Sequence, residues 1–356
     1  MPRITMTAAL ALGLAVFGAS GCAGGGGQAA MPASPARDAQ SVSLPAAVAH
    51  RILTPEDIGR MRGLIEPATH SWMSPAVKSG KPIVYVLEGT CACVYVYAVK
   101  GHNQEPIGQI AGLVGAGFGP DWIGMGNGGN LWISFGNGTI SSYPRGATKP
   151  STTLSDPGAF FPQNIAVDDA GTVYVSNTST NGGQGNVVLY QNGATSPTQT
   201  LTDPSVTGVF GLAVDKNHNV FVSALNTLNQ RFIGEFVAGP SNSYTFTQLV
   251  AGQNPSYLYL VMQLDSAGNV VVASQSPTSI DVYSPPNWNL TATLGGTAGP
   301  TGVAFTSDGT KLFAAYLNNR AVVEFAYPSG KQLNEIIAGL YTPQAVAVDP
   351  KPPLAP

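Results

Sequence analysis

Apolar residues along this chain fall in short runs, cut by turn residues at a regular beat. Between Phe161 and Gly193 the order is Ile165-Ala166-Val167, the turn Asp168-Asp169-Ala170-Gly171, then Val173-Tyr174-Val175. A polar Asn/Gly-rich loop follows, then Val187-Val188-Leu189-Tyr190 and the turn Asn192-Gly193. β-Branched and aromatic runs this short, bounded by Asx and Gly, predict strands of an antiparallel meander. Both faces of these strands are apolar, so both are covered. One small sheet cannot cover itself and must stack on something.

The rest of the chain supplies copies. The first run recurs as Ile123-Gly124-Met125, Leu212-Ala213-Val214, Met262-Gln263-Leu264, Val303-Ala304-Phe305 and Val346-Ala347-Val348. The last residues of these runs, from 125 to 348, are separated by 42, 47, 50, 41 and 43 positions. A period in the forties with about four strands per unit predicts propeller blades. The middle residue of the first run is small, as crowding near a propeller axis requires. Gln263 departs from that rule, so its amide needs buried partners or the register there slips by one. Ile83 to Val86 is a second run with no first run before it. Ala345 to Asp349 is a first run with no second run after it. The chain is therefore all-β: a six-bladed propeller over 81–356, closed by the C-terminal strand as the innermost strand of blade one, which removes exposed edges.

Residues 1–22 read as a secretory leader, with Arg3, an apolar stretch from Ala8 to Gly18, and Ala19-Ser20-Gly21-Cys22. That ending resembles a lipoprotein signal, with Cys22 as the lipidated residue. Plain secretion is the other reading, because Ala19 stands where Leu is usual. Residues 23–48 are a flexible Gly/Ala/Pro/Ser linker. In 49–80, Thr54-Pro55-Glu56-Asp57 predicts a helix start, followed by Ile58, Met61, Leu64 and Ile65 at helical spacing. Charged residues are 10% of the chain and the net charge is −3. Lys and Arg are scattered, so no nucleic-acid partner is expected. The expected state is an extracytoplasmic monomer, held to a membrane through its lipid.

Candidate chemistry is sparse. Cys91 and Cys93 share a strand face and form either a disulfide or redox pair, or two separate thiols. His50, His70, His102 and His218 are scattered, and no nucleophile–His–acid or zinc spacing accompanies them. Asp168, Asp215, Asp265 and Asp349 recur after the first run. Turn capping explains them better than calcium, because Gly126 and Thr306 stand at the same place in other units. The loops entering first runs and those joining second to third runs share one propeller face. Near the axis that face carries Asp121, Trp122, Gln163, Asn164, Phe210, Tyr257, Thr301 and Gln344, with Arg231 on a longer loop. These residues either bind a protein partner or polar small molecule, or merely plug the channel.

The unit around Pro162 to Ser176, with its Ala-Val-Asp and Val-Tyr-Val-Ser segments, resembles the NHL-type propeller repeat. Gly208 to Ser223 and Pro300 to Ala315 match it in part, and the resemblance spans roughly Pro82 to Pro350. It implies the fold and leaves function open, since such propellers serve as binding platforms, lactonases and lyases. This chain is expected to be a binding platform without cofactor that does no chemistry. The chain is distantly similar to gluconolactonase/regucalcin-type propellers. That resemblance implies the alternative, a metal-dependent hydrolase or lactonase with one calcium or other divalent cation on the axis. Only Asp121 and Asn164 match its axial ligand positions, and no Glu does. Streptogramin-lyase-like propellers use a catalytic His on the same face, and none falls there in this chain.

Overall fold

The computed structural model describes residues 69–113, 119–156, 158–180, 183–251, 259–275, 278–295 and 299–356. The leader, the linker and the expected helix at Thr54 lie outside the described residues. Six antiparallel sheets follow. Blade two runs Pro120–Met125, Leu131–Phe135, Thr139–Tyr143 and Thr152–Ser155, and blade three runs Ala159–Val167, Val173–Thr180, Asn186–Tyr190 and Gln199–Leu201. Blades four, five and six begin at the inner strands Gly208–Val214, Tyr259–Leu264 and Gly302–Phe305. Each inner strand touches the next around the ring.

Blade one is assembled from both ends of the propeller. Its inner strand is Pro343–Asp349, paired antiparallel with Ile83–Glu88, Val84 opposite Val348 and Val86 opposite Val346. Cys93–Ala98 and Gly108–Ile110 complete it. An additional two-residue strand, Trp72–Met73, pairs outside Gly108–Ile110, and a 3₁₀ turn at Pro75–Ser79 buries Val77. These residues fall within the 49–80 segment expected to precede the propeller, so part of that segment belongs to blade one.

Two polar clasps fasten this closure. Glu88 is buried, and its carboxylate accepts from Tyr341 N at 2.9 Å, Thr342 N at 2.8 Å and Thr342 Oγ1 at 2.7 Å. At the other end of the strand, Arg145 of blade two donates to Asp349 at 2.5 Å and to Val77 O at 2.7 Å. At two inner-strand glycines the neighbouring blade also leaves no room for a side chain. A Cβ on Gly124 would sit 2.4 Å from Ile165 O, and one on Gly211 would sit 2.2 Å from Leu260 O. The neighbouring blade's backbone occupies that space. Gln263 keeps its place opposite Val271, and its Oε1 accepts from Phe305 N of blade six at 3.4 Å.

The serine that ends the second run in blades two, three and four has a use that no local pattern signals. Ser134 Oγ donates to Pro162 O at 3.0 Å, Ser176 Oγ to Phe210 O at 3.1 Å, and Ser223 Oγ to Leu260 O at 2.5 Å. Each bond links one blade to the next. Ser176 and Ser223 also accept from Asn164 N and Gly211 N of their own inner strands. Blades five and six have Ala273 and Ala315 at that place, and in blade six Thr301 Oγ1 reaches Pro343 O of blade one.

Candidate functional site

The inner strands enclose an axial cavity of about 100 Å³. Small and aliphatic side chains line most of it, including Ala166, Leu212 and Met262, with Asn164, Gln263 and Lys351 as polar exceptions. One mouth is crossed by the C-terminal tail. Lys351 Nζ donates to Val167 O of blade three at 2.6 Å, and Lys216 N of blade four donates to Ala355 O at 2.9 Å. The tail leaves blade one and lands on the far side of the ring, so it closes this end. The Pro-rich ending has no apolar period, and nothing in it signals a plug.

The opposite mouth carries the positions singled out from sequence. Here the inner strand of five blades holds one residue more than its partner strand. The extra residue is Asp121 in blade two, Gln163 in blade three, Phe210 in blade four and Gln344 in blade one. In blade five it falls between Tyr259 and Met262. A bulge bends the strand and re-aims a side chain, and bulges gather beside binding sites. All four named side chains are partly exposed, and Thr301 stands at the corresponding place in blade six. Tyr257 lies outside the described residues.

Trp122 does not stand free on the rim. Its indole reaches from blade two to Gly302 of blade six, where an added Cβ would meet Cζ2 at 3.3 Å. It is only 8% exposed and forms part of the core. Asn164 is buried beside it on the cavity wall. The Arg231 guanidinium lies 3.5 Å from the centroid of the Phe210 ring, and burial lowers its pKa to about 10. Arg320 stacks similarly on Tyr341 at 4.1 Å. The mouth thus offers a carboxyl, amides and two arginine–aromatic stacks around an apolar shaft.

Asp121 brings an unsatisfied carboxyl oxygen to this mouth. Its Oδ2 is buried with no hydrogen-bond partner, and burial alone pushes its carboxyl up to about 7. The folded chain therefore holds this proton more tightly than the unfolded chain does. Stability is unaffected below about pH 4 and declines as pH rises from about 4 to about 7. Asp121→Asn should remove that decline. The variant should match the wild type in melting temperature near pH 4 and exceed it near pH 8, as calorimetry across pH would measure. Parallel profiles would contradict the assignment.

Three of the four recurring aspartates cap turns, and the fourth, Asp349, pairs with Arg145 of blade two instead. Asp215 Oδ1 accepts from Asn217 N and Asn219 N, and Asp265 Oδ1 from Ala267 N and Asn269 N, at 2.8–2.9 Å. Asp168 accepts from Thr172 N at 2.8 Å and also meets Tyr174 and His218. For the divalent cation implied by the gluconolactonase-type resemblance, Asp121 and Asn164 are the donors that match. Among the described residues no three His, Cys, Asp or Glu side chains group around a point, and the axial cavity is lined by apolar groups with Asn164, Gln263 and Lys351. Cys91 and Cys93 are joined to each other in a disulfide in the hairpin beside Glu88.

No family model matches the chain, and no curated protein matches it. Among solved structures it is similar to a catalytically inactive virginiamycin B lyase from Staphylococcus aureus with quinupristin. Identity is 17% over 62% of this chain and 70% of that one, with a TM-score of 0.46. A streptogramin B lyase gives 18% identity over 61% and 67% of the two chains, with a TM-score of 0.45. A functionally unknown protein from Desulfotomaculum acetoxidans gives 14% identity over 77% of this chain and 99% of that chain, with a TM-score of 0.53. At that identity the likeness is one of fold alone: the chain is a six-bladed β-propeller.

Proposed function

We propose that this propeller is a binding platform whose bulge-lined mouth takes a polar small molecule with an apolar portion. The observation that carries the reading is the set of bulges at one mouth of a cavity whose other end is closed by the chain's own tail. The apolar portion enters the shaft past Trp122. Asp121, Gln163, Gln344 and the Arg231–Phe210 stack meet the polar portion. Few polar groups converging on an apolar concavity is the usual make-up of a ligand site.

A thermal-shift screen of small polar metabolites tests this. Ligands should raise the melting temperature of the wild type, by the equivalent of about 2.7 kcal/mol at roughly a hundredfold excess over Kd. The same ligands should do little for Asp121→Asn/Phe210→Ala. Ligands that stabilise both proteins equally would place the site elsewhere.

The platform is further proposed to work outside the cytoplasm as a monomer, anchored by acylation of Cys22. The support is the apolar leader ending in Ser20-Gly21-Cys22 and the Gly-rich tether that follows. Mature protein from its host should partition into detergent with acyl groups on Cys22, as mass spectrometry would show. Unacylated soluble protein starting at another residue would contradict the anchor.

A further inference from the structure

We propose that Cys91 and Cys93 form a thiol–disulfide exchange centre that accepts two electrons from a substrate with paired thiols. Three observations carry this. First, the bridge joins residues two apart, with Cα atoms 5.2 Å apart. A loop so short constrains the unfolded chain least, so the bridge has little to offer stability. The neighbouring structure is already secured by the ladder from Ile83–Glu88 to both its partner strands and by the Glu88 clasp. Second, Ala92 between the cysteines has φ 46°, in the left-handed region that an alanine seldom occupies. Strained conformations of this kind gather at functional sites. Third, the two sulfurs are unequally accessible. Cys91 is partly exposed on the turn, whereas Cys93 is fully buried at the start of its strand, opposite Glu88.

That asymmetry sets the order of steps. A substrate thiolate attacks Cys91 Sγ, a bond forms between them, and the Cys91–Cys93 bond breaks. Cys93 leaves as thiolate and takes a proton. The second substrate thiol, deprotonated, then attacks the substrate sulfur of the mixed disulfide, and Cys91 leaves and is protonated. The substrate has lost two electrons and two protons, and the cysteine pair has gained them. Burial keeps Cys93 from other thiols, so it only resolves. A low-molecular-weight disulfide such as oxidised glutathione restores the bridge by the reverse exchange. Disulfides with an accessible sulfur are the exchangeable ones, and an oxidising compartment suits the resting state.

The mature chain equilibrated in glutathione buffers of graded ratio, then alkylated and weighed, tests the proposal. The pair should pass reversibly between oxidised and reduced forms, with the melting temperature of the reduced protein nearly unchanged. Cys93→Ser should trap glutathione as a mixed disulfide at position 91, and Cys91→Ser should lose that trapping. A pair that stays oxidised in reduced glutathione until the protein unfolds would overturn the proposal. Equal trapping by the two variants would overturn it too.

Discussion

Deleting residues 342–356 should leave a chain that aggregates or fails to fold. The deletion removes the inner strand of blade one, whose residues Ala345 to Asp349 are all buried. Ile83–Glu88 then loses its inner partner and becomes an open edge, which invites pairing with other chains. Val346 and Val348 account for about 3–6 kcal/mol of burial at the usual figure for a valine. The ladder bonds, the Glu88 bonds from Thr342 and the Arg145–Asp349 ion pair go with them. The loss is comparable to the roughly 5–15 kcal/mol that holds an ordinary domain together. Removing residues 23–45 should by contrast leave the melting temperature almost unchanged, because that stretch has no apolar period to bury. Light scattering and circular dichroism on the two deletions would separate these outcomes. A monomeric 1–341 chain with an unaltered melting temperature would mean that the ring closes in another way.

Glu88→Ala should be the most damaging single substitution at the closure. The carboxylate receives the backbone N–H groups of Tyr341 and Thr342 and the Thr342 hydroxyl, at 2.7–2.9 Å, in a position only 2% exposed. Alanine leaves these donors unpaired where little water reaches. Two charge-assisted bonds at the low end of about 1.5–3 kcal/mol each already give about 3 kcal/mol. For a chain this long that corresponds to a fall in melting temperature of roughly 4–5 °C. Glu88→Gln, which keeps one acceptor oxygen, should fall less. If the alanine variant melts within a degree or two of the wild type, closure rests on the strand ladder alone.

The ring was legible because its cause is local and repeated. A small residue between two aliphatic ones, an Asx turn and a β-branched run appear in nearly every unit, and the two incomplete units match each other. Even Gln263 fits the register once its amide is seen to bond the next blade. The clasps were not legible. Glu88 and Thr342 are 254 positions apart and Arg145 and Asp349 are 204 apart, and no local pattern links them. Trp72–Met73 is too short a strand to leave a periodic signal. The mouth is an intermediate case. Topology alone places Asp121, Gln163, Phe210 and Gln344 on one face, because every first run is entered from the same side. What each residue does there depends on the neighbouring blade. Trp122 lies across to Gly302, Arg231 stacks on Phe210, and one carboxyl oxygen of Asp121 is buried without a hydrogen bond.

Amide hydrogen exchange with and without a stabilising ligand from the screen addresses the binding claim most directly. Binding at the bulge-lined mouth should slow exchange in 119–124, 162–165 and 208–211, and leave the outer strands and the tail at 351–356 unchanged. Protection confined to the tail or to the outer strands, with those three segments unaffected, would contradict the mouth as the site.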